Sequence, residues 1–292
     1  MDVFAGEKFA GNQLAVVRNA YEFSEENMQK FAREMNFSET TFILMNESEM
    51  NASESAFRVR IFTPKLELPF AGHPTLGTAF VIQQYIIRRE VPKIILDLNI
   101  GPIEVTPIYE SGRIKLLWMK QNEPKFSRGK ISADQISRSL GLKKSDIDTK
   151  FPIQEVSTGV PFIIIPLKSM KALKGCRVDR DRYFALVRKT KAKSLFVFCP
   201  GSHGTDSKLS VRMFSDYYGV AEDPATGSAN GCLAAYLSHH KYFGSDRLDI
   251  KVDQGYEIGR PSTIHLRTDP EKSKVNVSVG GQVIPVAEGV LV

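Results

Sequence analysis

The 292-residue chain is long enough for two domains or one large one, and its 42% apolar and 10% aromatic content excludes a disordered protein. No run approaches the ~18 consecutive apolar residues of a membrane span, and Asp2, Glu7 and Lys8 argue against a signal peptide, so we expect a cytosolic protein. The net charge of +6 is spread among 33 acidic residues, which argues against nucleic-acid and membrane partners and favours a small anionic substrate.

The first half of the chain predicts strands around two helices. Ser24 is a typical N-cap for a helix whose apolar residues from Met28 to Met35 recur at helical spacing. Pro74 opens a second helix that runs to about residue 87, because a proline in the first turn removes no helical hydrogen bond. Apolar segments bounded by turn residues predict strands at 13–18, 40–45, 57–62, 93–98, 102–108 and 113–119.

The second half predicts the same kinds of elements. Ser132 and Gln135 form a capping box before a short helix that ends near Gly141. Asp179 caps another helix, and Pro224 opens the counterpart of the helix at Pro74. Strands are predicted at 153–157, 162–167, 195–199 and 209–214.

An internal repeat links the two halves. Residues 73–79 read HPTLGTA and residues 223–229 read DPATGSA, so that Pro, Gly and Ala are kept while His73 becomes Asp223. Each copy follows a similar strand, VRIF at 59–62 and VRMF at 211–214. A period of about 150 residues is too long for a solenoid. The repeat therefore predicts two similar domains that face each other.

Both copies of the repeat predict an acid/base and anion-binding function. In each, a titratable residue comes immediately before a helix whose first turn exposes backbone N–H groups. Two helix N-termini directed at one cleft would bind a carboxylate, with His73 and Asp223 as acid and base. Structural roles remain open from the residues alone: ordinary first-turn prolines, a hydrogen-bonded His73, and Asp223 as an N-cap before Pro224.

Other residues give no indication of a metal or cofactor site. The three cysteines are widely spaced without a CxxC pair, which predicts buried thiols and neither disulfides nor zinc. The remaining histidines lack partners at metal-ligand spacing. A phosphate-binding loop and a dinucleotide fingerprint are both missing from the sequence. We therefore expect no metal and no cofactor.

Five ordered motifs resemble the phenazine-biosynthesis isomerase (PhzF-like) family: FAGNQLAVV at 9–17, MNFSETTFI at 35–43, FTPKLELPFAGHPTLGTA at 62–79, STGVPF at 157–162 and EDPATGSANG at 222–231. The resemblance implies an α+β architecture of the diaminopimelate epimerase-like fold, with two pseudo-symmetric domains, each a mostly antiparallel sheet around a central helix. We expect an N-terminal domain at 1–120 completed by strands in 274–292, a second domain at 121–273, and the active site in the cleft between them.

The resemblance also implies roles for individual residues. Glu39 matches the family's general base and acid, while His73 and Asp223 match positions around the reacting carbon and amino group. Gly72, Gly227 and Ser228 match positions that hold the substrate, and the family implies a homodimer. Diaminopimelate epimerases carry two catalytic cysteines where this chain has His73 and Asp223, so the resemblance favours the isomerases. From its spacing alone, Glu39 could equally be a capping or paired carboxylate.

These observations predict a cofactor-independent isomerase that shifts a proton on a small amino- or hydroxy-substituted carboxylic acid, similar to dihydro-hydroxyanthranilate isomerase. One alternative is a catalytically weak carboxylate-binding or interaction protein on the same fold. Another is acyl hydrolysis by Ser228, which would need a base beside the serine; the GSANG segment does not match the GxSxG nucleophile motif.

Overall fold

The computed structural model describes residues 1–45, 56–127, 131–271 and 274–291. The chain forms two compact units, one of Met1–Lys120 with Gly280–Val292 and one of Gln121–Val279. We call them unit 1 and unit 2. Unit 1 therefore contains both ends of the chain.

Unit 1 contains two helices and most of the N-terminal strands. Its helices are α1 (Glu25–Met35) and α2 (Gly72–Val81), and α2 continues into a π-helical segment, Ile82–Ile87. Its strands before residue 121 are β1 (Asp2–Val3), β2 (Asn12–Val17), β3 (Glu39–Ile43), β4 (Phe57–Phe62), β5 (Glu67–Leu68), β6 (Ile94–Leu98), β7 (Gly101–Glu110) and β8 (Arg113–Lys120).

Unit 2 contains four helices. They are α3 (Ala133–Ser139), α4 (Met170–Gly175), α5 (Arg180–Val187) and α6 (Gly227–His239). The strands that follow are β9 (Lys125–Phe126), β10 (Gln154–Ser157), β11 (Pro161–Pro166), β12 (Ser194–Pro200), β13 (Leu209–Ser215), β14 (Val220–Asp223), β15 (Leu248–Gln254), β16 (Ser262–Glu271) and β17 (Lys274–Gly281), and β18 (Val283–Ile284) returns to unit 1. Short 3₁₀ turns lie at Ala20–Glu22, Lys144–Asp146, Asp216–Tyr218 and Tyr256–Ile258.

The two units share one strand topology. In unit 1, β2 runs parallel to β3, β3 antiparallel to β4, and β4 pairs with both antiparallel β5 and parallel β6. In unit 2, β11 runs parallel to β12, β12 antiparallel to β13, and β13 pairs with both antiparallel β14 and parallel β15. The internal repeat of the sequence is therefore a repeat of topology, and the α+β class is confirmed.

One helix in each unit is buried on all sides. Every residue of α2 is buried, and in α6 the exceptions are Ser228 and His239. Helices that are apolar around their whole circumference belong in the centre of a fold. Gly77 lets α2 approach the sheet, because a Cβ there would lie 2.4 Å from Leu14 Cδ2 and 2.9 Å from Val3 Cγ2.

The opposite face of each sheet is covered by the other helices. In unit 1, Met28 and Ala32 of α1 pack with Phe42 and Phe62. In unit 2, the residues packed between the sheet and α3, α4 and α5 are Ile136, Leu173, Tyr183, Leu186, Leu195, Val197 and Phe214. Each sheet therefore lies between a central helix and an outer helical layer.

Most local predictions agree with the observed elements. Ser24 accepts a hydrogen bond from Asn27 N–H, Ser132 and Gln135 form the capping box, and Asp179 caps α5. The helix at α4 was not predicted; Ser169 caps it by accepting from Ala172 N–H, but its six residues are too few to show a helical period. Among the described residues, no helix is long and apolar enough to cross a membrane.

Candidate active site

Glu39 opens β3 and is directed at the central helix of unit 1. Side chains alternate along a strand, so Glu39 shares its face with Thr41. The Thr41 hydroxyl lies 2.7 Å from the Thr78 hydroxyl of α2, which identifies this face as the one against α2. The Glu39 side chain keeps 16% of its surface exposed, while the carboxyl oxygen Oε2 that faces His73 is buried.

His73 is the second residue of α2 and lies beside Glu39. Its Nε2 is 3.3 Å from Glu39 Oε2, and 7% of its side chain is exposed. Gly72, the first residue of the helix, is buried at the same point. The structure therefore brings Glu39 together with two predicted site residues, Gly72 and His73, although Glu39 precedes His73 by 34 positions in the sequence.

The start of α2 differs from the prediction. The helix begins at Gly72, after the N-cap Ala71, so His73 lies inside the first turn instead of preceding the helix. Both the N–H and the hydroxyl of Thr75 donate to the Ala71 carbonyl, at 3.4 and 2.7 Å, and these bonds start the helix before Pro74.

Burial sets the protonation of His73. Burial lowers the pKa of the imidazole to about 3, while a hydrogen bond with the Gln13 backbone acts in the opposite direction. The ring is therefore uncharged at neutral pH. The Glu39–His73 pair therefore combines a carboxyl group with a neutral imidazole. The imidazole can donate or accept a hydrogen bond without bringing a positive charge next to Glu39.

Asp223 ends β14 in unit 2 and is held by a network of polar side chains. Its carboxylate accepts a 2.5 Å hydrogen bond from the Thr226 hydroxyl, and its backbone carbonyl accepts a 2.9 Å bond from the Gln254 amide. The Gln254 carbonyl in turn accepts from Asn230 Nδ2 at 2.9 Å and from Thr226 N–H at 3.2 Å. Thr226 thus holds the Asp223 carboxylate and Gln254 holds its backbone, and the two partners are joined to each other in one hydrogen-bond network.

The expected helix start at Pro224 is wrong. Helix α6 begins at Gly227 with Thr226 as its N-cap, so Asp223 is neither its N-cap nor immediately before it. The backbone at Pro224 packs instead against Gly255, the residue directly after β15. A Cβ at Gly255 would lie 2.6 Å from the Pro224 carbonyl oxygen, so only glycine allows this contact. The repeated motif therefore lies wholly within a helix in unit 1, whereas in unit 2 residues 224–226 are irregular and only residues 227–229 belong to the helix.

Gly227 and Ser228 form the first turn of α6. Gly227 is buried and Ser228 is partly exposed, and the backbone N–H groups of a first helical turn are available to an anion. The structure places Asp223, Gly227 and Ser228 together at one end of α6, as it places Glu39, Gly72 and His73 at one end of α2. That the two sets form one site remains a prediction.

Three residues of the Asp223 network, Thr226, Asn230 and Gln254, were not identified from the sequence. Asn230 lies within the EDPATGSANG motif, so the motif could have identified it as a site residue. Gln254 is 31 positions from Asp223 and belongs to no motif. Only the pairing of β13 with β15 brings it there.

Among the described residues, neither Cys232, the cavity of unit 2 nor a metal-binding group adds to the predicted site residues. Cys232 is buried in α6, and burial raises the pKa of its thiol to about 12, so it cannot replace the thiolate of a cysteine racemase. A cavity of about 500 Å³ in unit 2 is lined by Lys174, Arg177, His203, Arg212, Glu222, Tyr256, Glu257 and Ile258, and by no predicted site residue. Within the described ranges, no group of three or more His, Cys, Asp or Glu could hold a metal ion.

The chain is similar to known proteins over its full length. A model of the phenazine biosynthesis-like protein family, PhzC-PhzF, matches residues 1–289. A trans-2,3-dihydro-3-hydroxyanthranilate isomerase from Pseudomonas aeruginosa is 35% identical, over 99% of this chain and 96% of the relative. An uncharacterized isomerase from Clostridium acetobutylicum is 33% identical, over 100% of this chain and 96% of the relative.

Several solved structures share this fold over most of the chain. A PhzF-family protein from Bacillus anthracis superposes with a TM-score of 0.86 at 26% identity, covering 96% of this chain and 93% of the other. A predicted epimerase from Pseudomonas aeruginosa gives 0.77 at 30% identity, covering 100% and 98%. A probable proline racemase from Agrobacterium radiobacter gives 0.55 at 10% identity, covering 90% and 80%, which shows a shared fold alone.

Proposed function

The chain belongs to the phenazine biosynthesis-like (PhzC-PhzF) family and is an isomerase, and we propose that it moves a proton within a small amino- or hydroxy-substituted carboxylic acid without a cofactor. The observation that carries this proposal is the approach of Glu39 Oε2 to His73 Nε2 at 3.3 Å, at the start of the central helix of unit 1. A partly exposed carboxyl group beside a neutral imidazole is suited to proton transfer.

In the proposed step, the Glu39 carboxylate removes a proton from one carbon of the substrate. The electron pair of the broken C–H bond moves into the conjugated system, and Glu39 then returns the proton to another carbon. Atoms and charge balance within the substrate and one carboxyl group, so this step needs no oxidant or reductant. Its result is the shift of a double bond along the conjugated system.

His73 would support the protonated form of Glu39 between these two transfers. In this proposal, His73 donates one ring N–H to the Gln13 backbone, a hydrogen bond that acts to raise its pKa, and its Nε2 carries no proton. Nε2 then presents its lone pair to the carboxyl group and accepts its hydrogen bond once Glu39 has taken the proton. Because the ring is neutral, it accepts this hydrogen bond without holding Glu39 permanently in its ionised form, as a charged imidazolium would.

The substrate carboxylate is proposed to bind at the helix N-termini. Gly72 in α2, and Gly227 and Ser228 in α6, contribute first-turn N–H groups, and Ser228 adds a hydroxyl donor. Asp223, fixed by Thr226 and Gln254, is suited to an amino or hydroxyl donor of the substrate. The net charge of +6 favours the approach of an anion.

The direct test of Glu39 is solvent deuterium incorporation into candidate acids, beginning with trans-2,3-dihydro-3-hydroxyanthranilate, the compound in the name of several relatives. We expect Glu39→Gln to slow exchange by about 10²-fold or more, because the amide cannot accept the proton. Glu104→Gln is the matched control, since Glu104 is an exposed glutamate of the same unit. Equal exchange by wild type and Glu39→Gln would show that another group moves the proton.

The same measurements separate the isomerase from the carboxylate-binding alternative. A binding protein would bind an acid such as 3-hydroxyanthranilate, as measured by calorimetry, and would catalyse no deuterium exchange. Its affinity for the acid would be the same after Glu39→Gln. An isomerase of the proposed kind exchanges deuterium in at least one acid and loses that activity with Glu39.

We also propose that the isomerase acts in the cytoplasm as a homodimer, with neither nucleic acid nor membrane as a partner. The support is the family and a charge distribution without a basic cluster. Light scattering after gel filtration should give twice the chain mass of 32.7 kDa. A monomer at micromolar concentration would contradict the dimer.

A further inference from the structure

The repeated strand of each unit carries an arginine that the proposed proton transfer does not use. Arg60 in β4 bonds Glu67 in β5 through two parallel contacts, Nε–Oε1 at 2.7 Å and Nη2–Oε2 at 2.6 Å. Arg212 in β13 bonds Glu222 in β14 in the same way, at 2.8 and 2.6 Å. Two-bond arginine–carboxylate pairs fix orientation as well as distance. We call these pairs brace 1 (Arg60–Glu67) and brace 2 (Arg212–Glu222).

Both braces have the same surroundings. Each guanidinium lies over the phenylalanine two residues further along its strand, Arg60 at 5.1 Å from the Phe62 ring centroid and Arg212 at 4.8 Å from that of Phe214. Since residues i and i+2 share a face of a strand, both arginines lie on the face covered by the outer helices.

Each arginine also bonds to its outer helical layer. Arg60 Nη2 donates to Glu25 Oε2 in the first turn of α1 at 2.8 Å. Arg212 Nη1 donates to the carbonyls of Leu173 and Cys176 at the C-terminal end of α4, at 3.0 and 3.1 Å. Both contacts also match the helix dipole, with an anion at a helix start and a cation at a helix end. Each brace therefore joins two strands to a helix.

The strand that each brace holds leads into the candidate site. Glu222 is one peptide bond from Asp223, at a point where the register between β13 and β14 shifts. Asp223 pairs with Met213, whereas Glu222 bonds to the neighbouring Arg212, so the two side chains lie on opposite faces of the sheet. Glu67 is six positions before His73. Brace 2 thus holds the backbone of Asp223 from the opposite face of the sheet. Brace 1 is connected to His73 only through the segment between Glu67 and His73.

Brace 2 is also the more deeply buried of the two. The side chains of Arg212 and Glu222 are 6% and 10% exposed, against 18% and 22% for Arg60 and Glu67. Both side chains of brace 2 also border the cavity of unit 2, so water can reach the pair from that side. What distinguishes brace 2 is therefore its position directly beside Asp223.

We propose that Arg212 and Glu222 are positioning residues that hold the end of β14 so that the Asp223 carboxylate keeps its place against the substrate. Brace 1 is the duplicated counterpart, with a weaker effect on Gly72 and His73. The inference rests on the proposed role of Asp223 in the site, but the position of the Asp223 backbone can be measured without any substrate.

The test uses Arg212→Lys, which removes the two-bond geometry, and Glu222→Gln, which keeps the size and removes the charge. Arg247→Lys is the matched control, because Arg247 forms an exposed ion pair with Asp269 at 2.7 Å in the same unit. Hydrogen–deuterium exchange of peptides covering 220–230, thermal unfolding, and kcat and KM for a substrate identified by deuterium incorporation are measured for each variant.

We expect both brace variants to fold, to exchange faster at residues 223–226 than in the rest of unit 2, and to lose about tenfold or more in kcat with KM little changed, since small displacements at a reacting centre cost rate. Arg247→Lys should match wild type. Unchanged exchange at 223–226, faster exchange spread evenly over unit 2, or failure of both variants to fold would each overturn the positioning role. If wild type exchanges no acid, the proposed function fails, while the backbone measurement still decides the brace.

Discussion

At the scale of single residues, the informative contact is the one between a carboxyl group and a buried neutral imidazole. Isolated histidines have a pKa near 6.5, and burial in α2 lowers that of His73 to about 3. The ring thus stays uncharged where an exposed histidine would be partly protonated. Its function is then to exchange hydrogen bonds with Glu39, 3.3 Å away, and not to supply a positive charge.

The lowered pKa of His73 predicts a pH dependence of stability. Between pH 6.5 and about 3 the unfolded chain binds a proton at this residue that the folded chain does not, so folding loses up to about 1.4 kcal/mol per pH unit as the pH falls. Urea unfolding at pH 7 and pH 5 should show a larger loss for wild type than for His73→Gln. Equal losses in the two proteins would mean that His73 is protonated in the folded state.

At the scale of secondary structure, the central helix of unit 1 depends on the absence of a side chain at Gly77. A helical glycine normally destabilises a helix relative to alanine. Here the sheet residues Leu14 and Val3 occupy the space that a Cβ would need. Both are fully buried, so neither side chain can move away without disturbing its neighbours.

Two glycine substitutions should therefore have opposite effects. Gly77→Ala should lower the free energy of unfolding by about 1–3 kcal/mol through overpacking. Gly175→Ala, also in a helix, should leave stability unchanged or raise it slightly, since the nearest atom to its Cβ would be Leu142 Cδ2 at 3.9 Å. Urea unfolding of both variants gives the comparison. A tolerated alanine at Gly77 would show that α2 is not held tightly against the sheet.

At the scale of the whole molecule, the C-terminal segment completes the N-terminal unit. Strand β18 pairs with β1 through Asp2 with Ile284 and Val3 with Val283, and Phe4 N–H donates to the Gln282 carbonyl at 2.8 Å. Pairing of the two chain ends has a high contact order. Unit 1 can therefore be completed only after both ends have been synthesised.

Truncation tests this closure. Removing residues 282–292 should destabilise unit 1 by about 2–4 kcal/mol, through the lost strand hydrogen bonds and the burial of Val283. Removing residues 286–292 keeps β18 and is the matched control. Hydrogen exchange during urea unfolding follows the two units separately. If the longer deletion unfolds like the shorter one, β18 contributes nothing to unit 1.

The repeat and its exchange of His73 for Asp223 were visible in the sequence, but a second asymmetry, at Glu39, was not. Phe62 and Phe214 are equivalent in VRIF and VRMF, and they pair with Thr40 and Leu195. The residue before each is Glu39 in unit 1 and Ser194 in unit 2. Only unit 1 therefore carries a carboxyl group at this position, which explains how a duplicated fold comes to have one candidate proton shuttle.

The sequence by itself determined most of the elements, the caps, the repeat and the family, because these depend on local patterns and on motifs of contiguous residues; it did not predict α4, β15 or β16. It also pointed to Glu39 and His73, but not to their 3.3 Å contact. Tertiary structure decided where α2 and α6 begin, the recruitment of Gln254 to Asp223, and the two braces. Each of these depends on strand register between distant segments, and register is set by packing that no local pattern contains.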